Sequence, residues 1–88
     1  MKTTALTTHR IMFHSRFTKI DNAANIRRFY VISVERDLFG DACVVKTWGR
    51  IGTKGRALVT RHATDQDAEI AANIEAKRRR RRGYAVSP

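Results

Sequence analysis

Ala42-Cys43-Val44-Val45-Lys46-Thr47-Trp48-Gly49-Arg50, then Ile51-Gly52-Thr53-Lys54-Gly55, then Arg56-Ala57-Leu58-Val59-Thr60-Arg61-His62-Ala63 is the stretch that decides the fold. It predicts two antiparallel strands, 42–50 and 56–63, joined by a glycine-flanked turn. Side chains alternate along a strand, so Val44, Lys46, Trp48 and Arg50 share one face. Cys43, Val45 and Thr47 share the other. The first face carries the only Trp of the chain between two cations. An indole in that setting is expected exposed, ready to stack on a base.

Working outward, residues 11–19 alternate, with Ile11, Phe13, Ser15 and Phe17 on one face, which favours a strand. Residues 21–25 are rich in turn formers. Residues 28–36 have strong β propensity, and Tyr30, Ile32 and Val34 form a continuous apolar face. Asp37-Leu38-Phe39-Gly40-Asp41 is the next reversal. After residue 63 the period changes. Thr64 with Asp67 approximates a capping box, and Asp65, Asp67 and Glu69 suit the positive end of a helix dipole. Ala68, Ala71, Ala72 and Ile74, broadened by Ile70, are expected to form its apolar stripe. Lys77 and Arg78–Arg82 crowd its last turns and Gly83 is placed to stop it. Tyr84 and Val86 are apolar enough to fold back over a sheet edge. The expected fold is α+β: a four-stranded antiparallel sheet with one helix packed across a face. The expected organisation is a flexible N-terminus over 1–10, one domain over 11–84 and a C-terminal tail over 85–88.

The 88 residues make a single small domain with a small core. With 18 Lys and Arg against 8 Asp and Glu, the net charge is +10 and the pI is near 11.1. That balance selects polyanionic partners, nucleic acid before an anionic membrane surface. The one cysteine, Cys43, excludes an internal disulfide and a Cys-based zinc site, and is read as a small buried hydrophobe. No apolar run approaches the ~20 residues that span a bilayer, and residues 1–9 lack the apolar block of a secretory signal. The expected location is cytoplasmic, with nucleoid association an option.

Trp48-Gly49-Arg50-Ile51-Gly52 with Gly55 resembles the signature of the WGR domain, a module found in poly(ADP-ribose) polymerases and in small bacterial proteins. Asn25 before the Arg28-Phe29-Tyr30 strand, the Asp37-Leu38-Phe39-Gly40 turn, and the alanine-bearing helix closing in basic residues and Gly83-Tyr84 are similar to the family as well. The resemblance covers residues 11–84. It implies a nucleic-acid-binding or interdomain-contact module, with Trp48 packing on a terminal nucleotide and Arg50 bridging to neighbours. Gly49, Gly52 and Gly55 are motif positions with a structural role. The chain carries no catalytic domain of the polymerases, so no polymerase activity transfers.

The residues argue for polyanion binding without the family. Stacking an indole on a base is worth about 1–3 kcal/mol. Lys46 and Arg50 would hold adjacent phosphates, Arg with its planar fork and Lys as a point charge. Lys54 in the glycine turn and Arg56 after it extend the positive surface. Lys77, Arg78, Arg79, Arg80, Arg81 and Arg82 supply six of the ten net positive charges. They surround the helix on every side, so this segment is expected to be solvated or bound rather than packed. Five or six phosphate contacts would give a log K against log salt slope of about −5. Arg28 and the other single cations are read as solvated surface.

No catalytic residues, metal ligands or cofactor are expected. His9, His14 and His62 lie in three separate segments without ligand spacing, and no Ser stands in a nucleophile elbow. The expected function is non-enzymatic binding of nucleic acid, double-stranded DNA or DNA ends favoured over RNA, with low base specificity. The alternative is a protein-interaction module that uses the Trp48/Arg50 face.

Overall fold

Alternating residues in four long segments build a sheet, and a change to helical period builds its cover. The computed structural model describes residues 11–87, with side chains from Phe13 onward; the flexible segment expected over 1–10 lies outside the described residues. Strands β1 (Ile11–Asp21), β2 (Ile26–Arg36), β3 (Ala42–Arg50) and β4 (Arg56–His62) precede helix α1 (Asp65–Arg81) and a short β5 (Ala85–Val86). Sheet order is β4-β3-β2-β1-β5, antiparallel throughout.

The expectation of four strands is corrected to five. Beyond the helix, Ala85 and Val86 pair with Thr18 and Phe17 on the free edge of β1. Ser87 N–H donates to the Arg16 carbonyl at 2.7 Å. A free edge offers unpaired backbone groups, and even a two-residue strand satisfies several of them.

The core lies between one sheet face and α1. Phe17, Tyr30, Ile32, Val34, Ala42 and Val44 pack against Ala68, Ala72 and Ala76. Phe17, Ile32 and Val34 are fully buried. Small alanines let the helix backbone approach the sheet closely. The apolar stripe expected on the helix is corrected in part. Ala68 and Ala72 point inward, but Ile70 and Ile74 are 51% and 52% exposed. At 100° per residue the inward positions are 68, 72, 75–76 and 79, which places Ile70 and Ile74 on the outer side. The buried face therefore includes Glu75, at 6% exposure.

Both helix ends are finished by local chemistry. Thr64 caps the start, its hydroxyl accepting from Asp67 N–H at 3.0 Å. At the other end Gly83 N–H donates to the Arg80 carbonyl and Tyr84 N–H to the Arg79 carbonyl. This is a Schellman closure, and it sends the chain back towards β1. On the face away from the helix, Phe29 and Cys43 are buried. The Arg16 guanidinium lies 5.2 Å from the Phe29 ring centroid. Burial pushes the Cys43 thiol pKa up, so the sulfur stays protonated and inert.

Candidate nucleic-acid interface

The β2–β3 and β3–β4 registers set the rows of the helix-side face. Tyr30 pairs with Trp48, and Trp48 with Arg56. One row on, Arg28 pairs with Arg50; one row back, Ile32 pairs with Lys46 and Lys46 with Leu58. Directly opposed residues hold their Cβ atoms about 4.5–5.5 Å apart. Trp48 is therefore ringed by Lys46, Arg50, Arg56 and, on the diagonal, Arg28.

The indole is not openly exposed as its position in the sequence predicts; it is half-buried. It leans on Tyr30, with ring centroids 6.1 Å apart and planes inclined by 21°, and packs at the margin of the core. The rest of it borders a cleft of about 430 Å³, lined also by Asn25, Arg28, Phe29, Arg50 and Tyr84. Arg50 crosses to the β1–β2 turn, where its guanidinium donates to the Asn25 carbonyl at 3.4 Å and to Asn25 Oδ1 at 3.3 Å. Those are long, exposed bonds, and a guanidinium has five N–H donors, so Arg50 keeps capacity for an anion.

The turn after Arg50 is an ordinary hairpin. Thr53 N–H and Oγ1 both donate to the Arg50 carbonyl, at 3.0 and 2.7 Å. Ile51 N–H donates to the Arg27 carbonyl, tying the turn to β2. Lys54 and Arg56 are exposed on it. Gly49 and Gly55 are close neighbours: a Cβ on Gly49 would lie 2.7 Å from Gly55 Cα. The two glycines let the strand ends pass under Phe29.

The basic run divides. Lys77, Arg78, Arg80, Arg81 and Arg82 are exposed, as expected of solvated or bound cations. Arg79 departs from that expectation. Its side chain is 12% exposed, with Nε 3.2 Å from Glu75 Oε2 and off the axis of a hydrogen bond. Its guanidinium carbon lies 4.5 Å from the Tyr30 ring centroid and 5.6 Å from that of Tyr84. Arg79 packs because a carboxylate one turn earlier and two aromatic faces replace its water. Glu75 also accepts from Tyr30 Oη at 2.9 Å and from Arg78 Nη1 at 3.0 Å. Burial, and then the bond to Glu75, raise the Tyr30 phenol well above its ordinary pKa.

Sequence reasoning did not single out Glu75, Tyr30 or Tyr84 for the site, and left Arg28 as plain surface. The spacing of Glu75 to Arg78 and Arg79, at i+3 and i+4, is the one local signal that could have found the carboxylate. Together these contacts bring the basic helix end beside the Trp48 cleft, through Arg79, Tyr30 and Tyr84.

A family model described as the WGR domain matches residues 13–88. The chain belongs to the WGR domain family. WGR domains are nucleic-acid-binding modules by type. The uncharacterized protein y4dW of Sinorhizobium fredii (strain NBRC 101917 / NGR234) is 39% identical over 70 residues, which is 80% of this chain and 34% of that protein. This chain thus spans about a third of that relative's length. A crystal structure of a protein from Bacteroides fragilis superposes with a TM-score of 0.73 at 22% identity, covering 86% of this chain and 20% of that one. At that identity the likeness speaks to the WGR fold. Among the described residues, no helix is long and apolar enough to cross a membrane, and no group of three or more His, Cys, Asp or Glu is placed to hold a metal ion.

Proposed function

We propose that this WGR domain is a non-enzymatic module that binds double-stranded DNA with low base specificity. The observation that carries the reading is the cation ring around one half-buried indole, with a basic helix end beside it. Lys46, Arg50 and Arg56 contact phosphates flanking the cleft, and Arg28 joins them from the neighbouring strand. Trp48 packs its accessible part on a base at an end or a discontinuity, while Tyr30 supports it from behind. Lys54 and the exposed members of the run, Lys77, Arg78, Arg80, Arg81 and Arg82, hold phosphates further along the duplex. Arg79 acts as a positioning residue. Phosphate contacts carry no base information, which is why base specificity is low. The module works in the cytoplasm, at the nucleoid.

The test is a titration of blunt, nicked and single-stranded DNA and of duplex RNA into wild type and Trp48→Ala at two salt concentrations. The reading expects duplex DNA to bind tightest, affinity to fall steeply with salt, and Trp48→Ala to lose about 1–3 kcal/mol on DNA with an end or nick. Equal affinity of the two proteins for every oligonucleotide would remove the stacking role. Absence of salt-dependent binding altogether would favour the competing reading, in which the Trp48/Arg50 face docks a protein.

A further inference from the structure

At the end of the sheet away from Trp48, the β2–β3 hairpin lifts two large apolar side chains into solvent. Leu38 is 74% exposed and Phe39 84%. Single exposed apolar residues are common and mean little. Here two adjacent ones crown a turn that does not need them, because Asp37 and Gly40 supply the turn chemistry.

The tip is held rigidly. Asp37 N–H donates to the Asp41 carbonyl and Gly40 N–H to the Asp37 carbonyl, both at 3.0 Å. Asp37 Oδ1 accepts from Phe39 N–H and Asp41 N–H, each at 2.9 Å. Arg36 Nη1 donates to the Gly40 carbonyl at 2.9 Å. Arg61 Nε stands 3.7 Å from Asp37 and 3.9 Å from Asp41. Side chains on a pre-ordered loop lose little freedom on binding, which is how an anchor gains affinity.

We infer that the tip over residues 37–41 is a protein-docking knob that seats Leu38 and Phe39 in an apolar pocket of a partner protein, separately from the nucleic-acid face. Local charge selects that class of partner. Asp37, Asp41 and Asp65 stand around the base of the tip, and its cations Arg36 and Arg61 already face these acids. An apolar wedge driven into DNA needs flanking cations to hold phosphates, and this end offers acids instead. A second copy of the chain would bring another +10 molecule against the first. The register puts eight residues between the Arg28–Arg50 pair and the Arg36–Ala42 pair, roughly 27 Å at ~3.3 Å per residue. The knob and the Trp48 cleft can therefore be occupied together.

The experiment replaces Phe39 by a benzophenone amino acid in the full chain, with Glu69 as the control position, and irradiates the cells that make it. A protein adduct specific to position 39 is then purified and titrated with wild type, Leu38→Ala and Phe39→Ala. The proposal expects each substitution to weaken that complex by at least about 30-fold while duplex DNA binding is unchanged. Both side chains are solvent-exposed, so neither substitution threatens the fold. No adduct above the Glu69 control, an adduct to a second copy, or an adduct to nucleic acid with loss of duplex affinity in Phe39→Ala would each overturn it. So would a purified partner that binds all three proteins alike.

Discussion

Gly55 shows how a single missing Cβ fixes the approach to the site. Its φ is +74°, and a Cβ there would overlap the Trp48 carbonyl oxygen and lie 2.8 Å from Phe29 Cζ. Gly52, four residues after Trp48, has φ +97° but faces open space. Gly55→Ala combines backbone strain with overpacking and is expected to cost about 3 kcal/mol, against about 1 kcal/mol for Gly52→Ala. Urea denaturation of both variants checks this, and equal losses would contradict the close-approach account. Glu75 makes a second residue-scale case. Glu75→Ala strands the Arg79 guanidinium between Tyr30 and Tyr84, and is expected to cost about 3 kcal/mol. Arg78→Ala removes an exposed ion pair and is expected to cost at most about 1 kcal/mol. A Glu75→Ala protein as stable as Arg78→Ala would show that Arg79 finds another partner.

Tyr30 is where two elements meet: it sits on β2, stacks on Trp48 of β3 and donates to Glu75 of α1. A phenol kept neutral in the fold stabilises it fully below its ordinary pKa of 10.0. Above that pH the unfolded chain ionises while the folded one does not, so the contribution is lost as pH rises from about 10 towards the folded value. Wild type is expected to lose more stability between pH 8 and pH 11 than Tyr30→Phe, measured by chemical denaturation at each pH. Parallel losses would mean that the phenol is not held neutral. The four long strands were legible in the sequence because each shows a period of two over seven or more residues. Strand β5 was not, since two residues carry no period and their pairing depends on where the helix closure sends the chain. The inward side of α1 was only half legible. Its alanines mark the face weakly, and Glu75 and Arg79 interrupt it with charges whose compensation is tertiary.

Over the whole molecule, charge and shape are distributed by end. One end gathers the indole, the strand cations and the helix run, and the other carries an apolar tip with acids around it. Lys46, Trp48 and Arg50 were legible as a group from strand alternation. Arg28 and Arg56 join them only through cross-strand register, and Arg79 leaves the solvated group only through contacts that no local pattern encodes. Replacing Lys77, Arg78, Arg80, Arg81 and Arg82 by Gln is expected to flatten the log K against log salt slope for duplex DNA by about 4–5. It is also expected to leave the Trp48 contribution intact; an unchanged slope would mean that the run is a solubilising end. The chain has a single Trp, so intrinsic fluorescence reports on the cleft alone. The most direct measurement is therefore indole emission during titration with a short blunt duplex at low salt. Saturable quenching, reversed by added salt, is the predicted result. Binding of the duplex with the Trp48 emission unchanged throughout would contradict the account.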